Sequence, residues 1–156
     1  MIKAWLHAAR LRTLPLSLSG IIVGTGLAAV LSAFDGAIFG LALLTTTGFQ
    51  VLSNFANDLG DSLRGADTSA RIGPRRAVSS GDISPAAMRR GIWFACILAL
   101  ILGAPVASLS PWLLLAGFLA IACALAYTLG PFPLAYRGLG DVFVVACFGI
   151  QATTLT

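Results

Sequence analysis

The 156 residues are 58% hydrophobic and only 10% charged, with a mean hydropathy of +0.92. Soluble domains carry about 25% charged residues, so a soluble globular class is excluded and a membrane protein is expected. The net charge of +4 is not a nucleic-acid signal, because the basic residues flank apolar runs and no aromatic–basic interleaving accompanies them.

Residues 1–13 carry Lys3, Arg10 and Arg12 without an acid, and Trp5 suits a membrane interface. The charge-free run 14–34 has the ~20 residues that a hydrocarbon core demands. It is longer than the apolar part of a signal peptide, and further such runs follow, so a retained helix is predicted. Gly20 and Gly24 give that helix a G-x-x-x-G face for close approach. Asp35-Gly36 reads as a turn, and a second helix is expected over 37–56. A polar loop over 57–85 follows. Its end, Ser84-Pro85, reads as an N-cap with proline at the first position of a third helix, 86–105. No charge occurs from Gly91 to Tyr136, which is too long for one span. Pro105 and Pro111 divide it and give a fourth helix over 111–130. After the polar turn GPFPLAYRGLGD, a fifth apolar run, 142–156, reaches Thr156 short of a full crossing. Cys96, Cys123 and Cys147 sit singly in apolar runs and imply neither disulfide nor zinc.

The expected fold is all-α: a polytopic transmembrane helix bundle of about four full helices plus a truncated fifth, in one partial membrane domain over 1–156. All ten Lys and Arg fall in residues 1–13, 57–90 and 131–141. The positive-inside rule then puts the N-terminus and the polar loop on the cytoplasmic side of the cell inner membrane.

Three of the six acidic residues, Asp58, Asp61 and Asp67, lie within ten positions, followed by Arg71, Arg75 and Arg76. If the second helix runs on past Ala56, Asn57 and Asp61 share a face at i and i+4, with Asn54 close to it and Asp58 beside it. Oxygen ligands of this kind suit Mg²⁺, which is bound by one or two carboxylates together with substrate phosphate oxygens. Gly65 then ends the helix and lets Asp67 fold back, and the arginines are placed for bidentate phosphate contacts. The bland reading is a solvated loop whose acids balance its arginines. Ionisable groups that begin next to an apolar core favour a functional one. Asp58, Asp61 and Asp67 are the expected catalytic residues, and Asn57, Asp61 and Asp67 the expected metal ligands. Asn54, Asn57, Arg71, Arg75 and Arg76 are expected to bind a diphosphate. Arg12 either snorkels to the headgroups or reaches a phosphate. Asp141 is an orienting acid or a cavity group.

Three blocks, RTLPLSLSGIIVGTGLA from Arg12, LSNFANDLGDSLRGADTSARIGPRRAVSSGDIS from Leu52 and YTLGPFPLAYRGLGDVFVVACFG from Tyr127, resemble the UbiA-type intramembrane prenyltransferases. The chain is most similar to the MenA-type branch, which acts on 1,4-dihydroxy-2-naphthoate in menaquinone synthesis. Asn57, Asp58 and Asp61 match the family's NDxxDxxxD motif; its last acid falls on Gly65, with Asp67 two residues later. The resemblance implies a nine-helix fold, Mg²⁺ as cofactor, and Asn57 and Asp61 holding a Mg²⁺-diphosphate that Arg12 also contacts. It implies polyprenyl transfer from polyprenyl diphosphate to the naphthoate with decarboxylation, giving demethylmenaquinone. The second acidic motif of the family does not occur in these residues. The chain is therefore expected to be an N-terminal half, inactive without the C-terminal half. The alternatives are a relative with another aromatic acceptor, a CDP-alcohol phosphotransferase, whose DGxxAR…GxxxD pattern does not occur here, and a non-catalytic cation-binding transporter module.

Overall fold

The structure, a computed structural model, describes residues 1–67, 73 and 75–154. The basic N-terminal segment forms a helix, α1 (Ile2–Ala9). Arg10 turns left-handed at φ 50°, and a 3₁₀ turn, Leu11–Thr13, leads into α2 (Leu14–Val30). Pro15 sits in the first turn of α2, where a missing N–H has no helical partner to lose. The buried residues of α2 are Ser17, Gly20, Ile21, Gly24 and Thr25, a single stripe that includes the G-x-x-x-G pair. Ser32 takes a positive φ of 60° and stops the helix before residue 34.

Asp35 opens α3 (Gly36–Leu63), its carboxylate accepting from the N–H of Ala37 at 2.8 Å and Ile38 at 3.0 Å. The helix continues about two turns past residue 56, where the sequence had suggested a loop. It ends at Gly65, φ 64°, in a Schellman motif: Ala66 N–H donates to Asp61 O at 3.0 Å and Gly65 N–H to Ser62 O at 3.2 Å. Ser84 caps α4 (Pro85–Ala107) by accepting from Ala87 N–H at 3.2 Å, with Pro85 at the first position. Pro105 lies within the last turn of α4, and the break comes after it. Next come α5 (Pro111–Ala126), which stops four residues short of its expected end, and α6 (Gly140–Thr154), π-helical over Val145–Gln151.

Among the described residues there is no strand, and the all-α helix bundle expected from the sequence is what forms. Ile2–Val30, Gly36–Leu63 and Pro85–Ala107 are long and apolar enough to cross a membrane. The helix α3 is central, packing on α1, α2, α4 and α5. Its Leu52, Phe55 and Leu59 meet Met88 and Ile92 of α4 in the core, and Trp5 stacks edge-on against Phe55 with centroids 5.3 Å apart. Gly91 makes room for that indole: a Cβ there would lie 2.6 Å from the ring. Ala77, Val78 and Ile83 of the polar segment enter the same core. Trp93, Phe94, Ile101 and Trp112 are exposed, as lipid-facing side chains are.

Candidate functional site

Helical periodicity puts Gln50, Asn54, Asn57 and Asp61 on one stripe of α3. The first three line an open-sided cavity of about 490 Å³ between α2 to α6, whose other walls are largely apolar, among them Leu100, Leu113 and Phe143. The stripe thus runs from inside an apolar chamber to the polar end of the bundle.

Each amide on the stripe is engaged. Gln50 accepts from the Ser17 hydroxyl, and its Nε2 donates to Thr13 Oγ1 at 2.9 Å. Asn54 Nδ2 donates to Ala9 O at 2.8 Å and Thr13 Oγ1 at 3.2 Å, which ties the 9–13 turn to α3. Asn57 Oδ1 accepts from Thr128 Oγ1 at 3.1 Å, and the same hydroxyl lies 3.1 Å from Ala56 O. Gly60 allows that approach, since a Cβ there would lie 2.6 Å from Thr128 Oγ1.

Asp61 is buried at the end of the stripe. Arg76 Nη2 donates to its Oδ2, and the Tyr136 hydroxyl donates to its Oδ1. Arg76 also faces Asp67, Nε to Oδ1 at 3.5 Å, so one guanidinium stands between two carboxylates. The side chains of Arg76 and Asp67 are only 9% and 3% exposed. Among the described residues, Nε and Nη1 of Arg76 make no hydrogen bond, although Nε is ion-paired with Asp67. Burial, and then the hydrogen bond to the Asp61 carboxylate, push the Tyr136 phenol above its ordinary value of 10.0, so it stays a neutral donor.

Asp58 stands apart from this group: its Oδ2 accepts from Ala77 N–H and its Oδ1 from Val78 N–H, both at 3.0 Å. Arg75 is exposed and pairs with Asp82 at 3.0 Å. Arg12 is exposed in the 3₁₀ turn and makes no hydrogen bond or ion pair with the described residues. Arg71 lies outside the described residues. Asp141 is exposed and does not line the large cavity. The structure therefore brings together Asp61, Asp67 and Arg76, with Asn57 one turn below Asp61. It sets Asp58, Asn54 and Arg75 in separate contacts. Sequence reasoning missed Tyr136, Thr128 and Gln50. Gln50 carried a usable signal, being an uncharged polar residue one turn before Asn54 inside an apolar run.

Among the described residues no three His, Cys, Asp or Glu side chains converge into a closed metal site. The carboxylates of Asp61 and Asp67, with the Asn57 amide one turn before Asp61, are nevertheless of the kind that fits Mg²⁺, which takes one or two carboxylates and completes its shell with water and phosphate oxygens. Nη1 of Arg76, buried beside them without a hydrogen bond among the described residues, is a donor suited to a phosphate oxygen. The residues present fit a metal-bound polyanion.

Fold and site together define a multi-pass helical membrane protein with an apolar cavity and, one helical turn beyond Asn57 of its lining, paired carboxylates around a buried arginine. The chain belongs to the UbiA prenyltransferase family, whose model matches residues 17–154. It is 40% identical over 158 residues to the 1,4-dihydroxy-2-naphthoate octaprenyltransferase of Haemophilus influenzae, a match covering 96% of this chain and 51% of that protein. It is 39% identical over 154 residues to the enzyme of the same name from Escherichia coli, covering 94% and 50%. A UbiA prenyltransferase domain-containing protein 1 of Dictyostelium discoideum is 27% identical over 150 residues, covering 91% and 45%. The chain spans about half the length of the curated relatives it matches. No solved structure matches it.

Proposed function

We propose that this chain forms the diphosphate-binding part of a prenyltransferase that moves a polyprenyl group from its diphosphate to 1,4-dihydroxy-2-naphthoate. The carboxyl group of the acceptor would leave as carbon dioxide and the quinol form of demethylmenaquinone would result. The observation that carries this reading is the buried Asp61–Arg76–Asp67 cluster, one helical turn beyond Asn57, which lines an apolar cavity. The names of the bacterial relatives support this acceptor.

In this reading Asn57, Asp61 and Asp67 would hold Mg²⁺ and Arg76 would bind the remaining diphosphate oxygens, with Arg71 and Arg12 as further arginines for them. Asn54 keeps the Arg12 turn against α3. The metal supplies Lewis-acid neutralisation of the leaving diphosphate. The guanidinium of Arg76 adds fixed positive charge in a dry site, where charge develops as the allylic C–O bond breaks. The apolar cavity walls take the isoprenoid tail and keep water from the carbocation. The electron-rich ring carbon of the acceptor then attacks, and loss of its carboxyl group as carbon dioxide restores aromaticity. The cluster faces the cytoplasm of the inner membrane, where soluble diphosphate is released.

The test uses the gene product as expressed from its own locus, reconstituted in liposomes with an all-trans polyprenyl diphosphate and the naphthoate. The reading requires pyrophosphate release and a prenylated, decarboxylated product, both stopped by EDTA and restored by Mg²⁺. Release with 4-hydroxybenzoate but not the naphthoate would select another acceptor. Cation uptake without pyrophosphate release would select a transporter.

A further inference from the structure

Asp58 lies next to Asn57 in the motif that the family resemblance marks as reactive, yet its surroundings are not those of a reacting group. Its side chain is 1% exposed. Each carboxylate oxygen accepts one backbone N–H, from Ala77 and from Val78. A buried carboxylate without such partners would be strongly disfavoured, and charge-assisted bonds to two consecutive amides satisfy it within the fold.

Ala77 directly follows Arg76. The backbone of this strap is thus fixed to α3 at Asp58, while the side chain of Arg76 reaches α3 one turn further on, at Asp61. The strap is also braced internally: Ser80 N–H donates to Arg76 O at 3.1 Å and Ile83 N–H to Ala77 O at 3.0 Å. Ala77 and Val78 are 4% and 6% exposed, so the anchored backbone cannot shift without opening the core. With its main chain held on one side and its guanidinium on the other, Arg76 has little freedom. The carboxylate of Asp58 decides where that guanidinium stands.

We infer that Asp58 is a positioning residue acting through Arg76: it clamps the 77–78 amides so that the guanidinium is preset at the diphosphate end of the site. The inference rests on the prenyltransferase reading for its kinetic consequence, though not for its structural one.

Two measurements on the reconstituted gene product test it. In the first, Asp58→Asn keeps the shape and leaves one amide without a carboxylate acceptor, so KM for polyprenyl diphosphate rises about tenfold while KM for the aromatic acceptor stays put. Arg76→Gln raises the same KM by about as much or more, and Asp58→Asn adds little on top of Arg76→Gln, because both changes remove one preset guanidinium. Independent, multiplying effects would overturn the inference. So would an Asp58→Asn variant that loses kcat with both KM values unchanged, since that is the mark of direct chemistry. In the second, amide exchange at Ala77 and Val78 accelerates in Asp58→Asn while exchange through the middle of α3 does not change. Unaltered exchange at those two amides would equally overturn it. This second arm needs no turnover, so it decides the role of Asp58 even where the wild-type protein releases no pyrophosphate and the prenyltransferase reading itself fails.

Discussion

The hydroxyl of Tyr136 donates to Oδ1 of Asp61 from 75 residues further along the chain. Arg76 holds the other oxygen of that carboxylate, so the acid at the centre of the site is gripped from the 76–78 strap and from the turn after α5. Arg64 secures the second grip, its Nε donating to Thr128 O at 3.2 Å and its Nη2 to Gly130 O.

Removing the Tyr136 hydroxyl isolates that contact. Tyr136 is 46% exposed, so its bond to Asp61 is partly screened by solvent and contributes less than a buried charge-assisted one. In Tyr136→Phe, pyrophosphate release falls several-fold, by about tenfold at most, while the turn keeps its place through Arg64. The measurement is initial rate against Mg²⁺ concentration; a loss as large as that of an Asp61 variant would mean the phenol does more than orient the acid. The pH dependence has a definite sign. The phenol titrates near 10.0 when unfolded and higher when folded, so above about pH 10 the folded state binds more protons and stability falls as pH rises. Below that pH the group adds no slope, which thermal unfolding at pH 7, 9 and 11 would show for wild type against Tyr136→Phe.

Gly60 makes the second prediction. A Cβ there would meet Thr128 Oγ1, Cβ and O at 2.6 to 2.8 Å, two of them parts of a side chain already bonded to Asn57 and Ala56. Gly60→Ala should force the end of α5 off α3, at a cost of about 1–3 kcal/mol. Gly40, on the same helix with open space where a Cβ would stand, should accept alanine without loss. Thermal unfolding in detergent compares the two directly.

What could be read in advance follows the range of the interactions. Asp35 and the Ser84-Pro85 pair are caps whose partners lie within three residues, so both helix starts could be seen in the sequence. The last turns of α3 could not be placed as surely, because NDLGDSL reads as polar loop. There the helix survives because Asp58, Asp61 and Asn57 find partners at Ala77, Val78, Arg76 and Thr128. The same distance in chain explains the missed site residues. Tyr136 sits in a proline-flanked turn that carries no sign of where its hydroxyl goes. For Asp58 and Asn54 the residue type was legible but the partner was not, and in both cases the partner includes backbone.

Gln50 gives a third prediction. It accepts from Ser17 and donates to Thr13, which joins α2 to α3 inside the cavity wall. Gln50→Leu keeps the bulk but leaves two hydroxyls and Asn54 short of partners, and removal of one side of a buried polar pairing costs about 1–3 kcal/mol. Gln50→Glu would instead bury a charge and should be worse. Unfolding midpoints of the two variants, ordered wild type, leucine, glutamate, check this; the reverse order for the last two would show that the cavity is wetter than its apolar lining suggests.

The last prediction sets two carboxylates of one helix against each other. Asp35 caps the start of α3 and Asp61 lies in its final turn, about 39 Å away at 1.5 Å per residue. Asp35→Ala removes two capping bonds and should lower stability by about 1 kcal/mol, with pyrophosphate release per folded molecule unchanged. Asp61→Asn alters little volume, but it removes the charge that balances buried Arg76 and an oxygen set suited to Mg²⁺. Release should fall by at least about a hundredfold, and excess Mg²⁺ should not restore it. Equal losses from the two variants, normalised to folded protein, would place the chemistry away from the end of α3.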